Sequence, residues 1–489
     1  MKTVQTEIIE NDSEGSPVDS RHRLGDWLER LPKIPLFFLG LGVYRAWIEI
    51  AYVGSFVEFP THIIAGQDIF DLSLVFIMLL IAVSSKRLGT LFDRHLAYWL
   101  SAAMLSLSTA GIFLCYWQQD LASLLAWPCA VLGGFGVGIL IAMWSEAYCC
   151  LNPLRVALYY SASLMLAAVI IYVYKGFSMP WLAGMTFCLP LLSLLCALKS
   201  YRAIPDCDLP AASHNSFSFP WKPVFLMASY GFAFGLREMS LYASESGPHS
   251  AFGTVAVAAF VFIGVLIQGK RFDFAWIYRI GLPLMLGAFL LLPSFGFADD
   301  QISGFCVSAS YAAFSMLIML VLANISYRYG VSALWLFGIE RGVRLLFIFL
   351  GRQLDTHLDE LGIFGESQDL TVNILIVLIV LVLSLILYSE RELSSRWGIT
   401  FLNGPDEQAD IKIQRRLNIA DRCNYLAREK GLSQREEEVL LLLAQKKTIA
   451  TIERELFIAN GTAKAHVRHI YKKLEIHSRD ELFDLLEIP

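Results

Sequence analysis

Residues 371–397 read TVNILIVLIVLVLSLILYSERELSSRW, and the change of character inside this stretch decides the architecture. As far as Tyr388 it carries no charged side chain, and it is close to the roughly 20 apolar residues that a bilayer-spanning helix needs. From Ser389 onward charge is dense. The two characters persist outward from this point. From about Pro35 to Tyr388 the chain is apolar with short interruptions, and from residue 389 to the end it is charged. Over all 489 residues, 56% are hydrophobic and 17% charged, with a mean hydropathy of +0.54. A soluble domain is nearer about 45–50% and about 25%. The sequence therefore predicts an all-α protein, a polytopic membrane bundle followed by a small C-terminal domain. The net charge of −5 says little, because the two parts face different solvents.

Runs of similar quality predict about twelve spans, near 35–57, 69–84, 96–117, 121–144, 154–174, 180–198, 223–243, 250–269, 276–297, 302–323, 331–350 and 370–389. Residues 1–33 read as a polar tail without a signal peptide, 34–389 as the membrane domain and 390–431 as a linker. Within the linker, Asp410–Lys430 has a helical stripe of Leu417, Ala420, Asn424 and Ala427. The nine cysteines sit mostly in apolar runs and read as small packing residues, with no metal site and no disulfide framework. Tryptophans and tyrosines such as Trp47, Tyr52, Trp117, Trp144, Trp181, Trp276 and Trp335 read as interface anchors.

With the N-terminus cytoplasmic, sixteen Lys and Arg fall in inner segments and two, Lys175 and Arg352, in outer ones. The positive-inside rule supports that orientation. An even number of spans returns the C-terminus to the cytoplasm, which predicts a multi-pass inner-membrane protein with both termini inside.

The long polar stretch Lys199–Lys222 separates six spans from six. Span one contains Gly40-Leu41-Gly42-Val43-Tyr44-Arg45, and span seven Gly231-Phe232-Ala233-Phe234-Gly235-Leu236-Arg237. Spans two and eight each end near a basic pair, Lys86-Arg87 and Lys270-Arg271. This layout resembles the major facilitator superfamily, which implies parallel six-helix repeats with a site at midplane. The loop Lys86–Arg94 follows that family's glycine–aspartate–arginine signature only in part, which weighs against transport more than against the fold.

Ionisable residues inside the membrane cost about 2.5–3.5 kcal/mol each and face a partner or a wet cavity. Arg45 and Glu49 are spaced to pair on one helix face. Arg237 and Glu238 sit in span seven, and Glu340, Arg341 and Arg344 open or line span eleven. Arg45, Glu49, Arg237, Glu238 and Arg341 are thus candidates for binding a small molecule, anionic or zwitterionic. Structural ion pairs and snorkelling at the interface are the alternatives.

The C-terminal domain opens with Ser433 and Glu436 spaced as a capping box. Helices are predicted from there, over about Thr448–Leu456, about Gly461–Leu474 and about Arg479–Leu486. In the third, Ala463, Val467, Ile470 and Leu474 share an inward face, while Lys464, Arg468 and Lys472 share another. Ser433–Pro489 holds nine basic and ten acidic residues, so positive charge is concentrated on one helix rather than spread, as a major-groove helix requires.

Leu432-Ser433-x-Arg435-Glu436-x-Glu438-Val439-Leu440, then Ile449-Ala450, Leu456-x-Ile458, Thr462-x-Lys464-x-His466-x-x-x-Ile470-x-x-Lys473-Leu474 and Arg479-x-Glu481 closely resemble the LuxR/FixJ helix-turn-helix. The resemblance implies a DNA-binding domain over 432–489. Lys464, Ala465 and Arg468 would reach base edges, and Thr462, His466, Lys472 and Lys473 would touch phosphate. The last helix, around Leu482 and Leu485, would contribute to a homodimer. Ala459 stands where the family has a capping serine, and Asn460 is expected to take over as N-cap. Ala463 replaces a larger valine.

The expected function is a membrane-embedded, one-component transcription regulator. It senses a small molecule through its membrane domain and binds operator DNA. A secondary transporter with a regulatory DNA-binding tail is the alternative, and a plain membrane tether for DNA a third reading. No catalytic dyad, P-loop or metal cluster stands out, so an enzyme, a cofactor and a metal are not expected. Partners are double-stranded DNA, membrane lipid and a ligand whose identity these residues do not name.

Overall fold

The computed structural model describes residues 35–53, 63–204, 219–238, 247–268, 272, 274–287, 300–329, 331–361, 423, 425–444, 447–456 and 458–486. The chain divides into two compact units, Met1–Asn403 and Gly404–Pro489. Among the described residues there is no strand.

The first unit contains eleven described helices. They are α1 (Gly40–Ile48), α2 (Ile63–Leu88), α3 (His95–Trp117), α4 (Gln119–Cys149), α5 (Pro153–Tyr174), α6 (Met179–Arg202), α7 (Trp221–Gly235), α8 (Phe252–Gln268), α9 (Ala275–Leu286), α10 (Asp300–Tyr329) and α11 (Ala333–Leu361). The expected twelfth span, 370–389, lies outside the described residues. A 3-10 turn, Leu36–Leu39, leads into α1, and a π turn, Glu49–Val53, continues it. Seven of the described helical segments are long and apolar enough to cross a bilayer. The 29-residue α11 is long enough to be an eighth, but Glu340, Arg341 and Arg344 interrupt its apolar run. Phe76, Val83, Trp99, Leu124 and Leu195 are exposed on the surface of this unit. Such apolar exposure fits lipid rather than water.

Helix packing repeats after six elements. α1 packs on α5 and α7 on α11; α2 on α4 and α8 on α10; α3 on α4 and α9 on α10. The contacts between halves obey the same rule, α2 with α11 and α8 with α5. Two glycines set equivalent close approaches. A Cβ on Gly42 would collide with the Ser163 carbonyl of α5, and one on Gly235 with the Ile348 carbonyl of α11. Small residues permit such backbone contact between membrane helices.

Several boundaries differ from the sequence-based expectation. Span two starts near residue 63 rather than 69, so Gln67 and Asp68 are helical. Span eleven runs to Leu361, not 350. Arg352 is therefore a buried helix residue, not an outer-loop charge. Helix α7 ends at Gly235, so Arg237 lies in the turn just beyond it. Trp47 and Trp144 are not interface anchors. Both are buried and donate indole hydrogen bonds, to Thr109 Oγ1 at 2.9 Å and Ser193 Oγ at 3.0 Å. Trp117 and Trp181, near helix ends, are exposed as an anchor would be.

The second unit holds α12 (Gln434–Ala444), α13 (Ile449–Leu456), α14 (Asn460–Leu474) and α15 (Arg479–Leu485). Val439, Leu440, Leu443, Ile452, Ala463, Ile470, Leu474 and Leu482 form its core. Cys423 belongs to the same core, Leu426 packs against it and Ala427 is buried, so packing begins upstream of Leu432. Of the other members of the linker stripe, Leu417, Ala420 and Asn424 lie outside the described residues.

Candidate nucleic-acid interface and buried cavity

In α14 the inward positions Ala463, Ile470 and Leu474 are buried, and Val467 is half-buried. This packing turns Lys464, Arg468 and Lys472 into solvent. The three line a shallow open groove with Val467, Tyr471 and Glu475. Thr462 is exposed, whereas Ala465 and His466 are half-buried. Lys473 takes a different direction. Its ammonium donates to Glu436 Oε2 at 2.7 Å and to the Gly431 carbonyl at 3.0 Å. A phosphate contact would have to compete with that bridge.

The polar residues of the helix-turn-helix pattern act as braces in this fold. Ser433 N–H donates to Glu436 Oε2 at 2.7 Å, and Glu436 N–H to Ser433 Oγ at 3.3 Å, the reciprocal capping box. Burial pushes the Glu436 carboxyl up, but hydrogen bonds from Lys473 and Ser433 outweigh it and hold the group down at about 2. Arg435 donates to the Leu456 carbonyl at 2.5 Å, at the end of α13. Arg479 donates to the Lys447 carbonyl at 2.7 Å, just past α12. The Leu456 carbonyl is one that a helix end leaves open.

The expected takeover of the α14 cap by Asn460 does not occur. The helix starts at Asn460 itself, Ala459 occupies the N-cap position, and no side chain caps it. Asn460 instead donates to Glu453 Oε2 at 2.7 Å. At the other end Glu475 adopts φ 59°, the left-handed conformation usual at a helix C-terminus. In α15, Leu482 is fully buried in the domain's own core, while Leu485 is exposed. Of that pair, Leu485 alone is open to a partner.

The membrane unit encloses a cavity of about 130 Å³ between its two halves, lined among others by Arg45, Asp71, Glu238, His249, Arg341 and Arg344. Arg45 Nη2 donates to Tyr160 Oη at 2.5 Å, and Arg45 Nη1 lies 3.5 Å from His249 Nδ1. Arg344 Nη1 donates to Ser315 Oγ at 3.0 Å. Glu340 sits between Arg344, at 3.1 Å, and Arg341, at 3.5 Å. These are charge pairs without aligned hydrogen bonds. Both Glu340 oxygens and the Nε atoms of Arg45, Arg341 and Arg344 have no hydrogen-bond partner among the described residues.

Glu49 does not pair with Arg45. Its Oε2 accepts the backbone N–H groups of His249 at 2.6 Å and Ser250 at 3.1 Å, and its Oε1 accepts the Ser250 hydroxyl. It holds the start of the eighth span against the first. A second bridge between halves centres on Arg352 of α11. It meets Asp71 at 2.6 Å and Asp68 at 2.8 Å on α2, and Glu238 at 2.7 Å beyond α7. Gln67 donates to Glu238 at 3.2 Å.

Of the five residues expected to bind a ligand, Arg45, Glu238 and Arg341 line the cavity. Glu49 is a buried brace and Arg237 is half-buried at the end of span seven. Arg341 and Arg344 are buried, not snorkelling. Sequence reasoning missed Asp71, Tyr160, His249 and Arg352. Asp68 and Asp71 in the apolar run 63–88 were the available signal, because an acid there needs a partner.

Comparison with known proteins places the C-terminal residues first. Residues 430–486 match the profile GerE, described as "Bacterial regulatory proteins, luxR family". The chain is 39% identical over 59 residues to YhjB of Escherichia coli (strain K12), a predicted HTH-type transcriptional regulator, covering 12% of this chain and 30% of that protein. It is 46% identical over 54 residues to a predicted HTH-type transcriptional regulator encoded in the exeN 3' region of Aeromonas salmonicida, covering 11% and 28%. The chain thus spans less than a third of the curated relatives it matches. A solved variant of the Escherichia coli fucose:proton symporter FucP is 12% identical, with a TM-score of 0.43, covering 72% of this chain and 97% of that one. The C-terminal unit carries a LuxR-type helix-turn-helix domain, joined in one chain to an all-helical polytopic membrane unit.

Proposed function

We propose that the protein is a one-component transcription regulator embedded in the cytoplasmic membrane. A small molecule binds in the membrane unit and biases it between two arrangements. The C-terminal domains, paired as a homodimer, bind operator DNA differently in each. A ligand can do this only through unequal affinity for the two arrangements. Both termini are cytoplasmic, the membrane domain spans 34–389, and residues 390–431 connect it to the DNA-binding domain. Thr462, Lys464, Ala465, His466, Arg468 and Lys472 form the DNA surface, with base reading by Lys464, Ala465 and Arg468. The observation that carries this reading is the exposed face of Lys464, Arg468 and Lys472 in a chain that also encloses a buried, charged membrane cavity.

The test compares transcripts of the wild type with those of a Lys464→Ala, Arg468→Ala strain across a panel of small molecules. The expected result is a small gene set that responds to a compound in the wild type only. If no transcript depends on the two residues, the reading is wrong. The six-helix repeat and its central cavity favour a second reading, a secondary transporter with a regulatory tail. Ligand flux into proteoliposomes would select it.

A further inference from the structure

The cavity has two ends of opposite charge. At one, Arg45, Arg341 and Arg344 line the wall, and Glu340 is the carboxylate that pairs with the last two among the described residues. At the other, Asp68, Asp71 and Glu238 surround the Arg352 guanidinium, the one cation paired with them among the described residues. With every group ionised, the first end carries two positive charges in excess and the second two negative. Asp71 and Glu238 line the same cavity as the three arginines. The lining also includes apolar and aromatic side chains, among them Phe70, Leu74, Phe234 and Ile348.

Resting on the sensing reading above, we infer that the ligand of this cavity is a small zwitterion. Its anionic group lies among Arg45, Arg341 and Arg344, and its cationic group at Asp71 and Glu238. Three points select this class. Arg45 Nε is buried without a hydrogen-bond partner among the described residues, an arrangement that costs free energy until an acceptor arrives, whereas the Nε atoms of Arg341 and Arg344 already face Glu340. A ligand bearing only negative charge meets repulsion at the acidic end, and one bearing only positive charge meets it at the arginine end. A zwitterion is attracted at both. A dry cavity of about 150 Å³ holds one benzene, so this cavity of about 130 Å³ suits a molecule of roughly six to eight heavy atoms. Because Asp71 and Glu238 also hold Arg352, an arriving cation competes directly for the bridge that joins α2 to α11.

The test uses the purified full-length wild-type protein in lipid nanodiscs and follows its thermal unfolding with three matched series. The zwitterions are β-alanine, γ-aminobutyrate and δ-aminovalerate. The acids are propionate, butyrate and valerate, and the amines are propylamine, butylamine and pentylamine. At least one zwitterion is expected to raise Tm with an apparent Kd about tenfold or more below those of its acid and its amine, near 1.4 kcal/mol. Arg341→Gln is expected to abolish that shift, and Glu238→Gln to bring the zwitterion down to the affinity of the acid. An acid or an amine that matches its zwitterion overturns the assignment, as does the absence of a shift with every compound. Neither result touches the transcript dependence on Lys464 and Arg468, so the two readings fail separately.

Discussion

Arg352 of α11 meets Asp71 of α2 at 2.6 Å, so a buried ion pair ties the second helix to the eleventh across the line between the two halves. Asp68 and Glu238 share the same guanidinium. Arg352→Gln leaves three carboxylates clustered without their cation and is expected to cost about 3–5 kcal/mol. Asp71→Asn removes one of three acids around one guanidinium and should cost less. Thermal unfolding in detergent ranks the two, and equal losses would contradict the shared bridge.

Backbone contact at Gly42 and Gly235 predicts an equivalent pair of effects. Gly42→Ala and Gly235→Ala each force a methyl against a carbonyl, of Ser163 and Ile348 respectively. Each should destabilise by about 1–3 kcal/mol. Gly184 has nothing near its Cβ position, so Gly184→Ala is the control and should leave the melting temperature unchanged or raised.

Glu436 makes the C-terminal unit acid-sensitive. Its folded carboxyl titrates at about 2 against an ordinary value of 4.5. A depressed value means that the stabilisation is complete above the ordinary value and is lost as pH falls from about 4.5 toward 2. Glu436→Gln removes the ionised brace, costing about 1 kcal/mol at neutral pH and flattening that acid limb. Chemical denaturation of residues 404–489 at a series of pH values checks both.

On the proposed reading, α14 separates charge from base reading. Lys472→Ala is expected to weaken binding to every sequence and to reduce the salt slope by about 1. Arg468→Ala should also blur preference at one base position, at about 1–3 kcal/mol. Lys473→Ala should change the salt slope less than Lys472→Ala, because its ammonium is already bound to Glu436. Fluorescence anisotropy at several salt concentrations measures all three.

The two halves of the chain were legible to different depths. The C-terminal helices were readable nearly to the residue, because capping box, apolar face and basic face are local patterns along one helix. Asn460 misled, since its good capping chemistry was already engaged by Glu453, a partner seven residues back that local pattern does not weigh. In the membrane unit the apolar runs located the helices, and buried charge pointed to Arg45, Glu238 and Arg341. The pairings did not follow, because spacing suggested Arg45 with Glu49, while tertiary packing gives Glu49 to the Ser250 segment and Arg45 to Tyr160. Arg352 was mistaken for a loop charge because its partners lie more than a hundred residues away.

The position of Arg352 along the chain also orders assembly. Asp68, Asp71 and Glu238 all precede it, and synthesis runs from the N-terminus. The three acids enter the membrane on helices that are complete before their counter-ion leaves the ribosome. Through translation of about a hundred further residues, the three acids lack the guanidinium that they share in the fold. The contacts of α11 with α2 and α7 form only once it is in place, whereas that of α5 with α8 needs no part of it. A chain truncated before residue 352 is therefore expected to lack this bridge, whatever packing its first ten helices reach.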